Sequence, residues 1–256
     1  MNRNVPTNAY PELKISAAAF KGMGDRAYQE DTYVILEHPG DPALLAMVAD
    51  GMGGMQDGRF ASRTAVNIVK NAFLRGEARG DIAGLLRSAL TKANDALYEE
   101  LHCEGGSTGV VCVFRGGGMY YAGAGDSYLI LRRGDTLYRL NRRQNLTEAL
   151  LLGQIRRGDI CDPAASAHPE GGALVGYLGM KELSDIDMFL RPMPLMRGDT
   201  LLLCSDGIGD VLGEQALLRC LSSSTPEEAC RRIDQSIMGV ATRCQDNYTA
   251  VVVRYE

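Results

Sequence analysis

Four aspartates in this sequence stand where strand-like apolar runs end or begin. LLAMVAD ends on Asp50, MYYAGAGD on Asp126 and TLLLCSD on Asp206, while Asp246 shortly precedes the run YTAVVVRY. Glycine lies beside the first three, so the backbone there can approach a ligand closely and a carbonyl oxygen can join a binding site. Taken singly, each aspartate is better explained as an ordinary turn residue.

The four aspartates would repel one another if they converged without a counter-ion, and burial would raise their pKa values. Divalent cations remove that penalty. A ligand set made of oxygens suits Mg²⁺, Mn²⁺ or Ca²⁺ and disfavours zinc or copper. We therefore predict that these aspartates share hard divalent ions, against the alternative that they are unrelated turn residues.

One arginine and two acids are grouped in the segment GDRAYQED at 24–31. An arginine fork binds phosphate through two parallel hydrogen bonds. Beside a cation cluster, Arg26 would orient a phosphoryl group, while Glu30 or Asp31 would hold water on the ions. A surface ion pair explains the same residues equally well when the segment is considered alone.

The elements that must position these residues are mostly short strands. Apolar runs rich in Val, Leu, Ile and Tyr predict them, and turns such as 115–118 and 132–135 are short enough to join antiparallel neighbours. The runs are too many for one sheet, so we predict two stacked sheets. The predicted strands are ISAAAF, TYVIL, LLAMVAD, GVVCVF, MYYAGAG, YLILRR, TLYRL, DMFLRPM, TLLLCSD and TAVVVRY.

Helical periodicity covers 58–74, with Phe60 on the apolar side, and 81–101, with Asp81 as the N-cap. A capping box from Thr225 to Glu228 predicts another helix. Shorter helices are predicted over 145–155 and 213–221. Because helices cluster after the third strand and near the end, the pattern favours an α+β fold. The predicted architecture is a four-layer α-β-β-α sandwich of two mainly antiparallel sheets flanked by helices.

Composition is that of a globular chain, with 45% hydrophobic and 23% charged residues among 256. A net charge of -5 without a Lys/Arg run argues against a nucleic-acid partner. Neither a signal-peptide core nor an apolar run long enough to span a membrane is present. We predict a cytoplasmic protein with buried, reduced cysteines, and three histidines give little support to a zinc site.

In their order and type, several blocks of this chain resemble the bacterial members of the metal-dependent serine/threonine protein phosphatases of type 2C, the PPM family. The resemblance covers nearly the whole chain and implies one catalytic domain over 15–256, preceded by a polar arm over 1–14. The matching blocks are GDRAYQED (24–31), VADGMGG (48–54), GSTGVVCVF (106–114), AGAGDS (122–127), LLLCSDGIGDVL (201–212) and QDNYTAVVV (245–253).

The resemblance implies a metal centre built from the aspartates. Asp50 would bridge two ions, and the Gly51 carbonyl would ligate one of them. Asp206 and Asp246 would complete the ligands of the other ion. Asp126 would hold a third, weaker ion together with Asp206. The implied cofactors are thus two or three ions of Mn²⁺ or Mg²⁺.

The implied reaction is hydrolysis of phosphoserine and phosphothreonine in proteins by a metal-activated water, with Asp50, Asp206 and Arg26 as the catalytic residues. Arg26 would grip the substrate phosphate, and Glu30 and Asp31 would act through water on the ions. The implied partners are phosphorylated proteins, including substrates of a serine/threonine kinase, and the chain is predicted to be a monomer. The alternative is a non-catalytic type-2C-like domain that binds metal or regulates a partner.

The chain departs from the family pattern at several positions. Met52 stands where animal members carry a histidine, and Tyr128 stands where an arginine commonly follows Gly-Asp-Ser. The segment NRRQNLTEAL at 141–150 replaces the usual Thr-Asp-His-Ser stretch. With Met52 in place of the histidine, leaving-group protonation must come from water or another group. Residues 141–180 match weakly and resemble the family's variable flap, so this region affects substrate choice more than the chemistry.

Other phosphatase and nucleotide-binding patterns are not met. None of the cysteines has an arginine six residues on, as cysteine phosphatases require, and no P-loop motif occurs. The segment DGMGGMQ follows a strand-like run, but Gln56 replaces the third glycine of a dinucleotide fingerprint.

Overall fold

A computed structural model describes residues 14–53, 57–75, 80–158, 168–183, 185–240 and 244–256. The predicted arm lies outside the described residues apart from Lys14. The strands are β1 (Ile15–Gly22), β2 (Thr32–Glu37), β3 (Ala43–Ala49), β4 (Gly51–Met52), β5 (Gly106–Ser107), β6 (Gly109–Arg115), β7 (Gly118–Ala124), β8 (Tyr128–Arg133), β9 (Thr136–Arg139), β10 (Asp187–Met188), β11 (Met193–Pro194), β12 (Thr200–Cys204) and β13 (Tyr248–Tyr255). The helices are α1 (Asp57–Leu74), α2 (Ile82–Leu101), α3 (Leu146–Arg157), α4 (Asp206–Gly209), α5 (Glu214–Leu221) and α6 (Pro226–Gly239).

Two antiparallel sheets form the centre of the fold. The first sheet has the strand order β1-β13-β12-β8-β9. The second sheet has the order β10-β7-β6-β3-β2, with β11 also paired to β7, and β4 pairs with β5 separately. The tight connections between β6 and β7 and between β8 and β9 join antiparallel neighbours, as the turn signals predict.

Side chains of β3 alternate between two cores. Leu45 and Met47 belong to the core that the second sheet shares with α1 and α2. Leu44 and Val48 belong to the core between the two sheets. Both faces of β3 are therefore covered, which explains why its sequence is continuously apolar instead of alternating.

The outer face of the first sheet is covered by the later helices. Leu202 and Val252 pack there with Leu217 of α5 and Ile233 of α6. The layer order helix, sheet, sheet, helix confirms the predicted α+β sandwich. Each such buried aliphatic side chain stabilises the fold by roughly 1.5–3 kcal/mol, so the strand ends that carry the aspartates are anchored in well-packed elements.

The predicted helix starts are confirmed at two positions. Asp81 Oδ1 accepts a hydrogen bond from the amide three residues on at 2.8 Å. Thr225 Oγ1 likewise accepts from the Glu228 amide at 3.2 Å. The second half of the predicted capping box is wrong, because the Glu228 carboxylate accepts from Arg231 and Arg232 instead.

Three further predictions are corrected by the structure. The run DMFLRPM forms two short strands instead of one, since Pro192 between them has no amide to donate to a ladder. Phe60 is 42% exposed because it lies on the face of α1 that carries the exposed Asn67 and Asn71, opposite the buried face. Cys103 and Cys244 are exposed, in contrast to the buried Cys112, Cys204, Cys220 and Cys230.

Across the described part of the chain, no helix combines the length and apolarity that a membrane-spanning segment requires.

Candidate active site

The turn that carries Asp50 is held by the segment before β6. The Thr108 hydroxyl accepts a hydrogen bond from the Asp50 amide at 3.0 Å. The Thr108 amide and the Ser107 hydroxyl donate to the Asp50 carbonyl at 2.8 and 3.0 Å. The Thr108 hydroxyl also shares a 2.7 Å hydrogen bond with Ser127, the neighbour of Asp126. These bonds satisfy the backbone of Asp50 and leave its carboxylate for the adjacent cavity.

Asp206 and Asp246 are brought together by neighbouring strands. Asp206 follows β12 and begins α4, while Asp246 lies just before β13, which is paired with β12. Ser205 joins this pair of strands to the acidic segment. Its hydroxyl accepts from the Thr249 amide at 3.0 Å and donates to Asp31 at 2.9 Å.

Asn247 organises the loop that carries Arg26 and Glu30. Its Oδ1 accepts from the Glu30 amide at 2.7 Å. Its Nδ2 donates to the carbonyls of Met23 and Tyr28 at 2.8 and 3.0 Å. Because one buried side chain binds both ends of the loop, the loop is fastened directly beside Asp246.

The predicted site residues meet around one cavity of about 230 Å³ at the ends of the two sheets. Of the predicted residues, Asp31 alone is absent from the wall. It is only 1% exposed and lies behind the wall, beneath Ser205. The wall consists of Arg26, Glu30, Asp50, Gly51, Met52, Gly53, Thr108, Asp126, Gly172, Leu174, Asp206, Asp246 and Asn247.

The negative charges of the acidic side chains in the site are not fully balanced by nearby positive charges, and their pKa values are raised. Burial raises the pKa of Asp50 well above its usual range, and the negative charges of Asp31 and Asp206 raise it further. Burial, followed by the charge of Asp126, raises the pKa of Asp206 to about 7. Burial also raises the pKa of Glu30, although the nearby arginine of its loop opposes that shift. A bound cation would reverse these shifts by stabilising the ionised carboxylates.

Two of the aspartates predicted to bind metal ions form ion pairs with arginines in this structure. Arg26 is paired with Asp246 at 2.6 Å, and Arg143 is paired with Asp126 at 3.0 Å. Within the described residues, no group of three or more Asp, Glu, His or Cys side chains is already arranged to hold a metal ion. The two ion pairs offset part of the negative charge of the site.

The residues present fit hard divalent cations. Carboxylates and one backbone carbonyl form an all-oxygen donor set, as Mn²⁺ and Mg²⁺ prefer. Glu30 Oε1 and Asp31 Oδ1 are buried, and neither accepts a hydrogen bond from the described residues. Such orphaned acceptors beside raised carboxylate pKa values indicate that the site is built to receive positive charge or its bound water.

Three residues of the site were missed in the sequence. Thr108 and Asn247 lie inside the matching blocks; Asn247 directly follows the predicted ligand Asp246, whereas Thr108 has no predicted ligand beside it in the sequence. Arg143 lies in the divergent segment 141–150, and the substitution of Tyr128 for an arginine was the only hint that a cation must come from elsewhere. Their roles depend on side-chain contacts that a linear pattern does not encode.

Gly51→Ala is expected to destabilise the protein by about 2–4 kcal/mol. A Cβ at this position would overlap the Gly58 carbonyl oxygen of α1 and crowd the Glu30 carbonyl. Thermal unfolding checks this result, with Gly80→Ala as the control because a Cβ there meets no neighbour. Equal melting temperatures for the two variants would contradict the close packing of β4 on α1.

A cavity that needs cations and has an arginine at its mouth is suited to phosphate esters, so the class of protein is a metal-dependent phosphatase. The chain belongs to the Protein phosphatase 2C family, whose sequence model matches residues 25–237.

Known proteins support this assignment. The serine/threonine phosphatase stp of Listeria welshimeri is 32% identical over 206 residues, which cover 77% of this chain and 79% of that protein. The PPM Ser-Thr phosphatase MsPP from Mycobacterium smegmatis, solved with cacodylate, has a TM-score of 0.76 at 27% identity and covers 94% of this chain and 98% of its own. The catalytic domain of the phosphatase PstP, solved with two manganese ions, has a TM-score of 0.74 at 25% identity with the same coverage. The predicted family and fold are confirmed.

Proposed function

We propose that this chain hydrolyses phosphoserine and phosphothreonine in proteins, using divalent cations held by Asp50, the Gly51 carbonyl, Asp206 and Asp246. The observation that carries the proposal is the convergence of three aspartates from the ends of β3, β12 and β13 on one cavity with Arg26 in its wall. Two ions bound there would supply a hydroxide from water near neutral pH and offset negative charge on the phosphoryl group.

The protein's own groups have separate tasks in this proposal. Arg26 is 56% exposed at its side chain, so its guanidinium is free to leave Asp246 for the oxygens of an incoming phosphate. Glu30 lines the cavity, where its carboxylate would orient water on the ions. Asp31 acts from behind the cavity wall, where it accepts a hydrogen bond from the Ser205 hydroxyl. Its negative charge raises the pKa of Asp50, so a cation is needed to stabilise the ionised Asp50 carboxylate.

The finer details of the proposal concern ions, domain and substrate. The manganese ions of the PstP catalytic domain favour Mn²⁺ over Mg²⁺ for this chain. Residues 15–256 form one catalytic domain, and the chain acts as a monomer on proteins that a serine/threonine kinase has phosphorylated. Gly172 and Leu174 of the flap-like region 141–180 contribute to the cavity wall, which supports a role of that region in substrate choice.

A phosphatase assay tests the proposal against the non-catalytic alternative. The purified chain is given Mn²⁺ with p-nitrophenyl phosphate or with a phosphothreonine peptide. We expect turnover of both, loss of turnover on chelation and recovery when Mn²⁺ is restored. Folded protein that binds Mn²⁺ but turns over neither substrate would favour the binding domain.

Arg26→Ala is expected to lower kcat/KM for the phosphothreonine peptide by about 10- to 100-fold, because a charge-assisted fork on the phosphate is lost. Steady-state kinetics in saturating Mn²⁺ measure the effect. Arg219→Ala, on the exposed face of α5, is the matched control and should leave kcat/KM unchanged. A kcat/KM for Arg26→Ala equal to that of wild type would contradict the assignment of Arg26 to phosphate binding.

A further inference from the structure

Arg143 is a fixed cation at the rim of the proposed centre. Its guanidinium donates to Asp126 Oδ2 at 3.0 Å and to both carboxylate oxygens of Asp210 at 2.8 and 2.9 Å. The same group lies over the ring of Tyr128 at 4.7 Å, and the Tyr128 hydroxyl donates to Asp210. The Arg143 side chain is 15% exposed and that of Asp126 only 8%.

The backbone around Arg143 is also held in place. The Arg143 amide donates to the Glu148 carboxylate at 2.9 Å, at the start of α3. The next residue, Gln144, exchanges hydrogen bonds with Gly125 through its amide and its Oε1, both at 2.9 Å. These hydrogen bonds hold the backbone of Arg143 beside the turn that carries Asp126. The guanidinium itself is held by Asp126, Asp210 and Tyr128.

Two residues that the family pattern does not predict build this arrangement together. Tyr128 supplies the aromatic face, and Arg143 comes from the divergent segment 141–150. The positive charge near Asp126 is thus contributed from a different part of the chain. An arginine fork held by a bidentate carboxylate and an aromatic face loses little further entropy on binding Asp126.

A divalent ion at Asp126 would have to compete with this guanidinium. Asp126 and Asp206 line the same cavity, and the negative charge of Asp126 raises the pKa of Asp206. Arg143 already binds one oxygen of Asp126, and its positive charge repels any cation placed on that carboxylate. The low exposure of both side chains limits the screening of this repulsion by solvent.

We propose that Arg143 is the resident cation on the Asp126 side of the centre, where it neutralises Asp126 and lowers the affinity of that carboxylate for a third divalent ion. The inference deepens the proposed function, since it takes the aspartates of that site as ion ligands. It assigns the two-ion form as the working state of this chain and makes Arg143 a positioning residue for Asp126.

The test is a count of bound Mn²⁺. Wild type, Arg143→Met and Arg143→Gln are titrated with Mn²⁺ by calorimetry, and the ions are located by anomalous scattering in crystals grown with MnCl₂. We expect two ions in wild type. The neutral variants should bind an additional ion at Asp126, at least about tenfold more tightly than wild type does. Arg143→Lys keeps the charge and should bind as wild type does.

Two controls make the result specific. Arg139→Met removes an arginine that lies 5.7 Å from the same Tyr128 ring but pairs with Glu148, and it should leave the ion count unchanged. The double variant Arg143→Met with Asp126→Asn should lose the additional ion. Arg143→Gln retains an N–H donor toward Asp126, so it serves if the methionine variant does not fold.

Identical ion numbers and affinities in wild type and both neutral variants would overturn the proposal. Three equally tight ions in wild type would overturn it as well. Because the readout is ion binding, a chain without phosphatase activity would still support or reject the role of Arg143. Failure of the proposed function is seen separately, in the turnover assay.

Discussion

Asp206→Asn is expected to lower kcat by about 10³-fold or more while making the metal-free protein more stable above neutral pH. The loss of activity follows from its assigned place as an ion ligand, since the amide keeps the shape of the side chain but not its charge. Steady-state assays in saturating Mn²⁺ measure this loss. Turnover near that of wild type would exclude Asp206 from the centre.

The gain in stability follows from the pKa of Asp206, which burial and Asp126 raise to about 7. Between the ordinary value of 3.8 and about 7, the folded state binds more protons than the unfolded state. The free energy of unfolding of the metal-free protein therefore falls as the pH rises through that window. Asparagine does not ionise, so the variant does not lose stability through this group as the pH rises. At pH 8 its free energy of unfolding should exceed that of wild type by about 1–2 kcal/mol, allowing for solvent screening.

Thermal unfolding in chelator at pH 5 and pH 8 checks the second effect. The variant should gain roughly 3–6 °C at pH 8 and little at pH 5. Asp135→Asn is the matched control, because that side chain is fully exposed in the turn between β8 and β9. Mn²⁺ should raise the melting temperature of wild type more than that of Asp206→Asn. A variant that is less stable than wild type at pH 8 would contradict the charge crowding described for the site.

Asn247→Ala is expected to destabilise the protein by about 2–4 kcal/mol and to lower kcat/KM by roughly tenfold. Asn247 is 4% exposed, so its loss would leave the Glu30 amide and the carbonyls of Met23 and Tyr28 without their side-chain partner. The loop would then hold Arg26 less firmly at the cavity. Stability and catalysis should therefore fall together.

Chemical denaturation in Mn²⁺ and steady-state kinetics measure the two losses for Asn247→Ala. Asn67→Ala, at an exposed position of α1, is the control and should change stability by no more than about 0.5 kcal/mol. Asn247→Asp keeps the acceptor for the Glu30 amide but loses both donors and adds negative charge to the site. It should be less stable than Asn247→Ala in chelator and should recover part of the difference in Mn²⁺. Full activity of Asn247→Ala would show that the loop does not depend on this side chain.

The sandwich itself was predictable from the chain. Continuous apolar runs such as LLAMVA predict strands covered on both faces, and the helical segments show the periodicity of surface helices. The run DMFLRPM was mispredicted because its composition is strand-like while Pro192 prevents continuous pairing. The error at Phe60 came from its apolar residue type, because the helical period places it with the exposed Asn67 and Asn71, opposite the buried face of α1.

The sequence by itself determined the α+β class, the family and the group of acids whose chemistry requires cations. These features depend on residue types, local periodicity and the order of short blocks, all of which are properties of the linear chain. The charge balance of the site depended on the tertiary structure. Arg143 meets Asp126 and Asp210 across 17 and 67 residues, and Asn247 meets Tyr28 across 219. Such contacts exist only after the sheets have packed, because packing decides which distant side chains become neighbours.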